Sequence, residues 1–170
     1  MRLTATYLRN FVFGVEDGLV STVGLLTGIA IGGVSRQTLI LTGIVLVVVE
    51  AFSMAVGSFL SEASTEELDA RTTSGSVTNR SVRGGVVMFV SYFVAGFVPL
   101  APYFVVAGSS AVYLSIALSL VALFALGVVN GWFAKGRMLW RGLRMMLVGG
   151  LAVVVGVAAA LVLAQYGVVA

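Results

Sequence analysis

The sequence predicts an all-α membrane protein with five transmembrane helices, an N-terminus in the cytoplasm and a C-terminus outside. Three observations support this fold class. Of the 170 residues, 59% are hydrophobic and only 10% are charged, whereas a soluble domain carries about a quarter charged residues. Five apolar stretches are long enough for the roughly 20 helical residues that cross a bilayer. Nine of the 10 basic residues lie on one side of these stretches.

A single transmembrane domain, residues 1–170, accounts for the whole chain. Only Arg36 lies on the outer side, so the positive-inside rule places the N-terminus in the cytoplasm. No small-residue cleavage site follows a short apolar region, and we expect no cleaved signal peptide. For so compact a chain, the expected location is a prokaryotic plasma membrane. The apolar stretches cover residues 8–33, 37–61, 84–107, 110–134 and 145–168, and a cytosolic acidic loop covers 62–83.

The composition excludes several kinds of chemistry. The chain has no cysteine and no histidine, which removes thiol nucleophiles, Cys/His zinc sites and imidazole proton shuttles. The net charge of +3 does not indicate a nucleic-acid partner, because the basic residues lie beside membrane spans. No catalytic motif surrounds the intramembrane acids, so we expect neither an enzyme nor a resident cofactor.

The first span carries two adjacent acids, Glu16 and Asp17. Charge inside hydrocarbon is costly and usually marks an ion or proton pathway. The span also carries small residues four apart, which share one helix face and let another helix approach closely. These glycines indicate either a homodimer seam that brings two copies of Asp17 together or packing within the chain. They are Gly14 and Gly18, followed by Gly24, Gly28 and Gly32.

The second span carries Glu50 and Met54, which are one helical turn apart and therefore share a face. Beyond Ser61 the hydrophobicity ends, but we expect the helix to continue. The acids that follow are Glu62, Glu66, Glu67 and Asp69.

The remaining spans carry fewer polar groups. Pro99 and Pro102 must break or kink the third span, and the freed carbonyls need partners. The kink indicates either a carbonyl-lined ion path or a packing bend. Asn130 in the fourth span is typical of a helix–helix hydrogen bond. The connector 135–144 suits the headgroup region, and the fifth span has a small-residue packing face.

Estimated depths bring the acids of the first two spans together. At 1.5 Å per residue, Asp17 lies about 12 Å deep, Glu50 about 16 Å and Met54 about 10 Å. Carboxylates suit hard divalent ions and a thioether favours softer ones, so the set favours Fe²⁺ or Mn²⁺. Ligands must be deprotonated to bind metal, so ion entry would expel protons. The alternative is a protonated Glu50 that is only hydrogen-bonded within the bundle.

At three places the chain resembles the vacuolar iron transporter family: residues 14–19 (GVEDGL), 53–61 (SMAVGSFLS) and 98–104 (VPLAPYF). The resemblance covers essentially the whole chain. It implies a homodimer whose first spans line a translocation path that exports Fe²⁺ or Mn²⁺ from the cytosol in exchange for protons. By this resemblance Asp17 and Met54 match metal-path positions.

The chain departs from the family pattern in two ways. The second-span glutamate of the family stands eight residues before the methionine, where this chain has Leu46, so Glu50 is assigned from geometry. The long glutamate-rich cytosolic domain is reduced to about twenty residues. Its remaining acids are either an entry site that gathers metal at the cytosolic mouth or a solvated helix end: Glu62, Glu66, Glu67 and Asp69.

The sequence thus favours a divalent-metal transporter whose path includes Asp17, Glu50 and Met54. Its expected partners are metal ions, protons, the lipid bilayer and a second copy of the chain. Glu16 lies about 100° around the helix from Asp17 and is not expected to be a ligand. The alternative is a membrane scaffold or assembly partner that uses its glycine faces and transports nothing.

Overall fold

The computed structural model describes residues 2–70, 79–133 and 136–166, with side chains described for 5–65, 81–133 and 136–166. All regular secondary structure within these ranges is helical. The helices are α1 (Arg2–Ile31), α2 (Arg36–Ala70), α3 (Asn79–Leu100), α4 (Pro102–Val105), α5 (Ser109–Phe133) and α6 (Met138–Gln165).

Five of the helices in the described ranges are long and apolar enough to cross a membrane, which confirms the predicted fold class. They are α1, α2, α3, α5 and α6, and the four-residue α4 is the exception. The helix bounds extend past several predicted stretches: α2 continues to Ala70, and α6 already begins at Met138, inside the predicted connector. The cytoplasmic location of the N-terminus stays a prediction.

The first helix lies at the centre of the bundle, where it packs against α2, α3, α5 and α6. Its glycines make this possible. A Cβ added at Gly18 would lie 2.7 Å from the Tyr92 carbonyl oxygen of α3, and one at Gly28 would lie 2.8 Å from the Gly156 carbonyl oxygen of α6. The glycine faces that suggested a dimer seam are therefore occupied by helices of the same chain.

The proline kink has partners for its carbonyl groups. Pro99 lies inside α3, and the Ser115 hydroxyl of α5 donates a hydrogen bond of 2.6 Å to its carbonyl oxygen. Arg36 at the start of α2 reaches α4, where Nε donates to the Tyr103 carbonyl at 2.7 Å and Nη2 to the Phe104 carbonyl at 2.8 Å. These bonds favour the packing bend over a carbonyl-lined path. They link α5 to α3 and α2 to α4 at the predicted outer side of the bundle.

Candidate metal site between the first two spans

Asp17 and Glu50 lie at one level of the bundle, because Tyr92 contacts both Glu50 and Ser21, which is one helical turn from Asp17. Both side chains are partly buried. Asp17 belongs to α1 and Glu50 to α2. The estimated depths of the two residues in the membrane predicted this common level.

Tyr92 of α3 connects Glu50 to the α1 backbone at Asp17. Its ring is fully buried, its hydroxyl donates a hydrogen bond to Glu50 Oε2, and it lies 2.6 Å from Ser21 Oγ. Ser21 in turn donates to the backbone carbonyl of Asp17 at 2.7 Å. A continuous chain of hydrogen-bonded oxygens therefore runs from Asp17 to Glu50 through three helices.

Close packing of α1 on α3 sets the level of this chain. Gly18 has no side chain, so the α1 backbone lies against the Tyr92 carbonyl and against Gly96 of α3. Asp17, next to Gly18, is thereby brought to the level of Tyr92. The predicted ligand set did not include Tyr92, whose one signal in the sequence is a hydroxyl in the middle of an apolar span.

Met54 lies one helical turn beyond Glu50 on the same face of α2 and is partly buried. It therefore adjoins the acid pair along the helix axis, at the side facing the α2 C-terminus. Leu46, the position where the family pattern has its glutamate, lies one turn from Glu50 in the opposite direction. Glu50, and not position 46, accepts the hydrogen bond from Tyr92.

Glu16 has different neighbours from Asp17. Its carboxylate is partly buried and interacts electrostatically with Arg144 of α6 as well as with Asp17. The expectation that Glu16 is not a metal ligand stays a prediction.

A second polar cluster lies nearer the predicted cytoplasmic end of the bundle. Asn10 Nδ2 donates to Ser58 Oγ at 2.9 Å and to Glu62 Oε1 at 2.6 Å. Glu62 is only 7% exposed and its carboxylate lies against Gly84 of α3. Glu62 is therefore not part of a solvated helix end. The side chains of the other predicted entry-site acids lie outside the described residues: Glu66, Glu67 and Asp69.

Within the described ranges, no three acidic side chains lie together in a group that could hold a metal ion. An ion bound by Asp17 and Glu50 would take its remaining ligands from neutral groups, such as the thioether of Met54, backbone carbonyls or water. Two carboxylates would neutralise the charge of one divalent cation.

Comparison with known proteins gives one family. The model of the VIT family matches residues 8–75 and 65–161. A relative from Oryza sativa subsp. japonica, vacuolar iron transporter homolog 1, is 27% identical over 89% of this chain and 71% of its own length. Vacuolar iron transporter homolog 3 of Arabidopsis thaliana is 28% identical over 89% of this chain and 80% of its own. The vacuolar iron transporter of Centaurea cyanus is 22% identical over 85% of this chain and 83% of its own length.

Proposed function

This chain belongs to the VIT family, and on that premise we propose that it exports a divalent metal ion, Fe²⁺ or Mn²⁺, from the cytosol in exchange for protons. Asp17 and Glu50 bind the ion on its way through the membrane, and Met54 supplies a thioether beside them. The relatives named above are iron transporters by name, which supports metal transport as the activity.

The observation that carries the proposal is that Ser21 and Tyr92 bring Asp17 and Glu50 to one level of the bundle. Two carboxylates near each other inside a membrane protein repel, and either a proton or a cation relieves that repulsion. The pair therefore suits an ion that arrives, is held by two charges, and leaves when protons replace it.

The ligand types support Fe²⁺ or Mn²⁺ as the cargo. Oxygen ligands alone favour hard ions such as Mg²⁺ and Ca²⁺, whereas a thioether adds preference for a softer ion. Met54 lies one turn from Glu50, so an ion that moves along this face of α2 meets both kinds of ligand.

Proton exchange is supported by the chemistry of carboxylate ligands. Metal binding requires the deprotonated carboxylate, so an ion and a proton compete for the same oxygen atoms of Asp17 and Glu50.

The proposed homodimer cannot use the glycine faces of α1, because α3 and α6 cover them. A homodimer would therefore need another surface of the chain. The alternative of a scaffold that binds partners through its glycine faces also loses its main support, because α3 and α6 cover these faces.

The chain is an integral membrane protein by its five apolar helices. Its relatives are plant proteins whose names refer to the vacuole. The prokaryotic plasma membrane expected from the sequence has no support from them.

Transport in proteoliposomes tests the proposal. Wild-type protein should take up Mn²⁺ or Fe²⁺ when a pH gradient is applied, and Asp17→Ala should abolish the flux. Glu16→Gln is the matched control, because it removes the adjacent acid and should retain transport. Equal flux in wild type and Asp17→Ala would overturn the assignment of Asp17. Absence of metal flux in folded wild type would favour the scaffold instead.

A further inference from the structure

A group of arginines lies where α5 passes into α6. Arg137 directly precedes α6, and Arg141 and Arg144 lie in its first two turns. The sequence placed these residues in a connector, but the helix already begins at Met138, so Arg141 and Arg144 share one face of a helix. The positive-inside rule assigns this end of α6 to the cytoplasmic surface of the membrane.

The three guanidinium groups carry positive charge that the chain does not balance. Within the described part of the chain, none of them takes part in a hydrogen bond or an ion pair. Glu16 of α1 interacts electrostatically with Arg144, but one carboxylate cannot balance three guanidinium groups. Arg137 and Arg144 are exposed, and Arg141 is partly exposed. Such a group suits an anionic partner, because guanidinium binds phosphate through parallel hydrogen bonds.

Two tryptophans indicate the depth of these arginines in the membrane. Trp132 lies at the end of α5 and Trp140 in the first turn of α6, and each is 63% exposed. Tryptophan prefers the interface between lipid headgroups and acyl chains. The guanidinium of Arg141 lies beside the same turn, because a Cβ added at Gly136 would lie 3.1 Å from its Nε. The arginines are therefore at the level of the phospholipid phosphates.

The arginine-bearing face of α6 continues into an apolar groove between α1 and α6. Val148 is one helical turn from Arg144, and both it and Val155 lie on the same side of α6 as the arginines. Gly24 and Gly28 line the groove on α1. The groove has a volume of about 690 Å³ and its lining is almost entirely apolar, so it can hold a fatty acyl chain.

We propose that Arg137, Arg141 and Arg144 bind the phosphate of an anionic phospholipid of the cytoplasmic leaflet, and that an acyl chain of this lipid lies in the groove between α1 and α6. Charge complementarity selects this occupant. An apolar helix in the groove would leave the guanidinium groups without an anion, whereas one anionic lipid fits both the groove and the arginines. Basic pockets between transmembrane helices on the cytoplasmic side bind anionic headgroups in this way. The inference does not rest on the proposed transport function.

Tryptophan fluorescence tests the lipid site, because the two tryptophans of the chain both lie beside it. Full-length protein is reconstituted in phosphatidylcholine vesicles that contain increasing amounts of brominated phosphatidylglycerol or, in parallel, brominated phosphatidylcholine. Bromine near the headgroup end of the acyl chains quenches a tryptophan that the lipid contacts. We expect phosphatidylglycerol to be preferred over phosphatidylcholine by about fivefold or more. Equal quenching by the two lipids would refute the site.

Arginine variants test which charges produce the preference. Arg144→Gln should lower it and Arg141→Gln/Arg144→Gln should abolish it, whereas Arg83→Gln should leave it unchanged. Arg83 is the matched control, because it is an exposed arginine near the start of α3, and within the described ranges α3 does not pack against α6. A preference that survives in Arg141→Gln/Arg144→Gln, or that is lost in Arg83→Gln, would refute the assignment.

A charge-preserving variant guards against misfolding of the glutamine variants. Arg141→Lys/Arg144→Lys keeps both positive charges, and lysine also binds phosphate, so the preference for phosphatidylglycerol should be retained. If the lysine variant loses the preference as fully as Arg141→Gln/Arg144→Gln, the loss does not follow the charge and the proposal is overturned.

Discussion

Gly18→Ala tests whether close packing of α1 on α3 sets the geometry of the Asp17–Glu50 pair. The added Cβ would lie 2.7 Å from the Tyr92 carbonyl oxygen and 3.2 Å from both Ala95 Cβ and the Gly96 nitrogen. Two of these atoms belong to the α3 backbone and cannot rotate away. To reach an ordinary contact of 3.4 Å, α1 and α3 must separate by about 0.7 Å.

The expected cost of Gly18→Ala follows from this separation. Overpacking costs about 1–3 kcal/mol, and alanine returns about 0.5–1 kcal/mol through its higher helix propensity. We therefore expect a net loss of about 1–2 kcal/mol in the free energy of unfolding. Because Asp17 moves with its neighbour, Mn²⁺ flux per folded protein should fall as well.

Reversible unfolding in mixed micelles of SDS and a mild detergent, followed by circular dichroism, measures the stability, and proteoliposome uptake measures the flux. Gly57→Ala is the matched control, because a Cβ there meets nothing within 4 Å in the described structure. It should leave stability equal to or above that of wild type. The reasoning is refuted if Gly18→Ala matches wild type in both assays, or if Gly57→Ala is the more damaging change.

Two further predictions concern single side chains. Tyr92→Phe removes the hydroxyl that Glu50 and Ser21 share, and losing a hydrogen bond to a charged group costs about 1.5–3 kcal/mol. We expect Mn²⁺ flux at limiting Mn²⁺ to fall about tenfold or more with the fold retained, and unchanged flux would show that Tyr92 does not position Glu50. Arg36→Gln removes the charged donor to the Tyr103 and Phe104 carbonyls. It should lower stability in the micelle assay by about 1–2 kcal/mol, and stability equal to wild type would contradict the role assigned to Arg36.

Hydropathy alone was enough to predict the five spanning helices. An 18–25 residue apolar run has few structures available in a bilayer, because the backbone must satisfy its own hydrogen bonds there. The continuation of α2 through polar residues to Ala70 was predicted, whereas the start of α6 among the basic residues of the connector was not. Hydropathy reports the membrane boundary, and these helices extend beyond it.

The common level of Asp17 and Glu50 was predictable because consecutive spans joined by a short turn are antiparallel neighbours. Counting residues from each end then gives a common level. Tyr92 was not predictable in the same way, since its place depends on which face α3 turns toward α1. That orientation is set by Gly14 and Gly18, which lie against α3. Their four-residue spacing predicts a packing face but does not show which helix covers it.

Two other features were unpredictable for the same reason, namely which helix covers each glycine face and the burial of Glu62. Both depend on how the other helices are oriented. The sequence placed Glu62 in a cytosolic acidic loop because it follows the hydrophobic run of the second span. In the structure, Asn10 of α1 donates a hydrogen bond to Glu62, and Gly84 of α3 leaves room for its carboxylate. Both neighbours come from other helices, so the hydropathy of α2 carries no sign of them.

The central claim is that a divalent ion passes between Asp17 and Glu50 with Met54 beside it. Anomalous X-ray scattering from crystals of the protein soaked in Mn²⁺ tests this claim most directly, because it locates the ion independently of any transport assay. An anomalous peak is expected within coordination distance of the Asp17 and Glu50 carboxylates, and it should be lost in Asp17→Asn. A wild-type protein that transports Mn²⁺ but shows no peak there, or keeps the peak in Asp17→Asn, would contradict it.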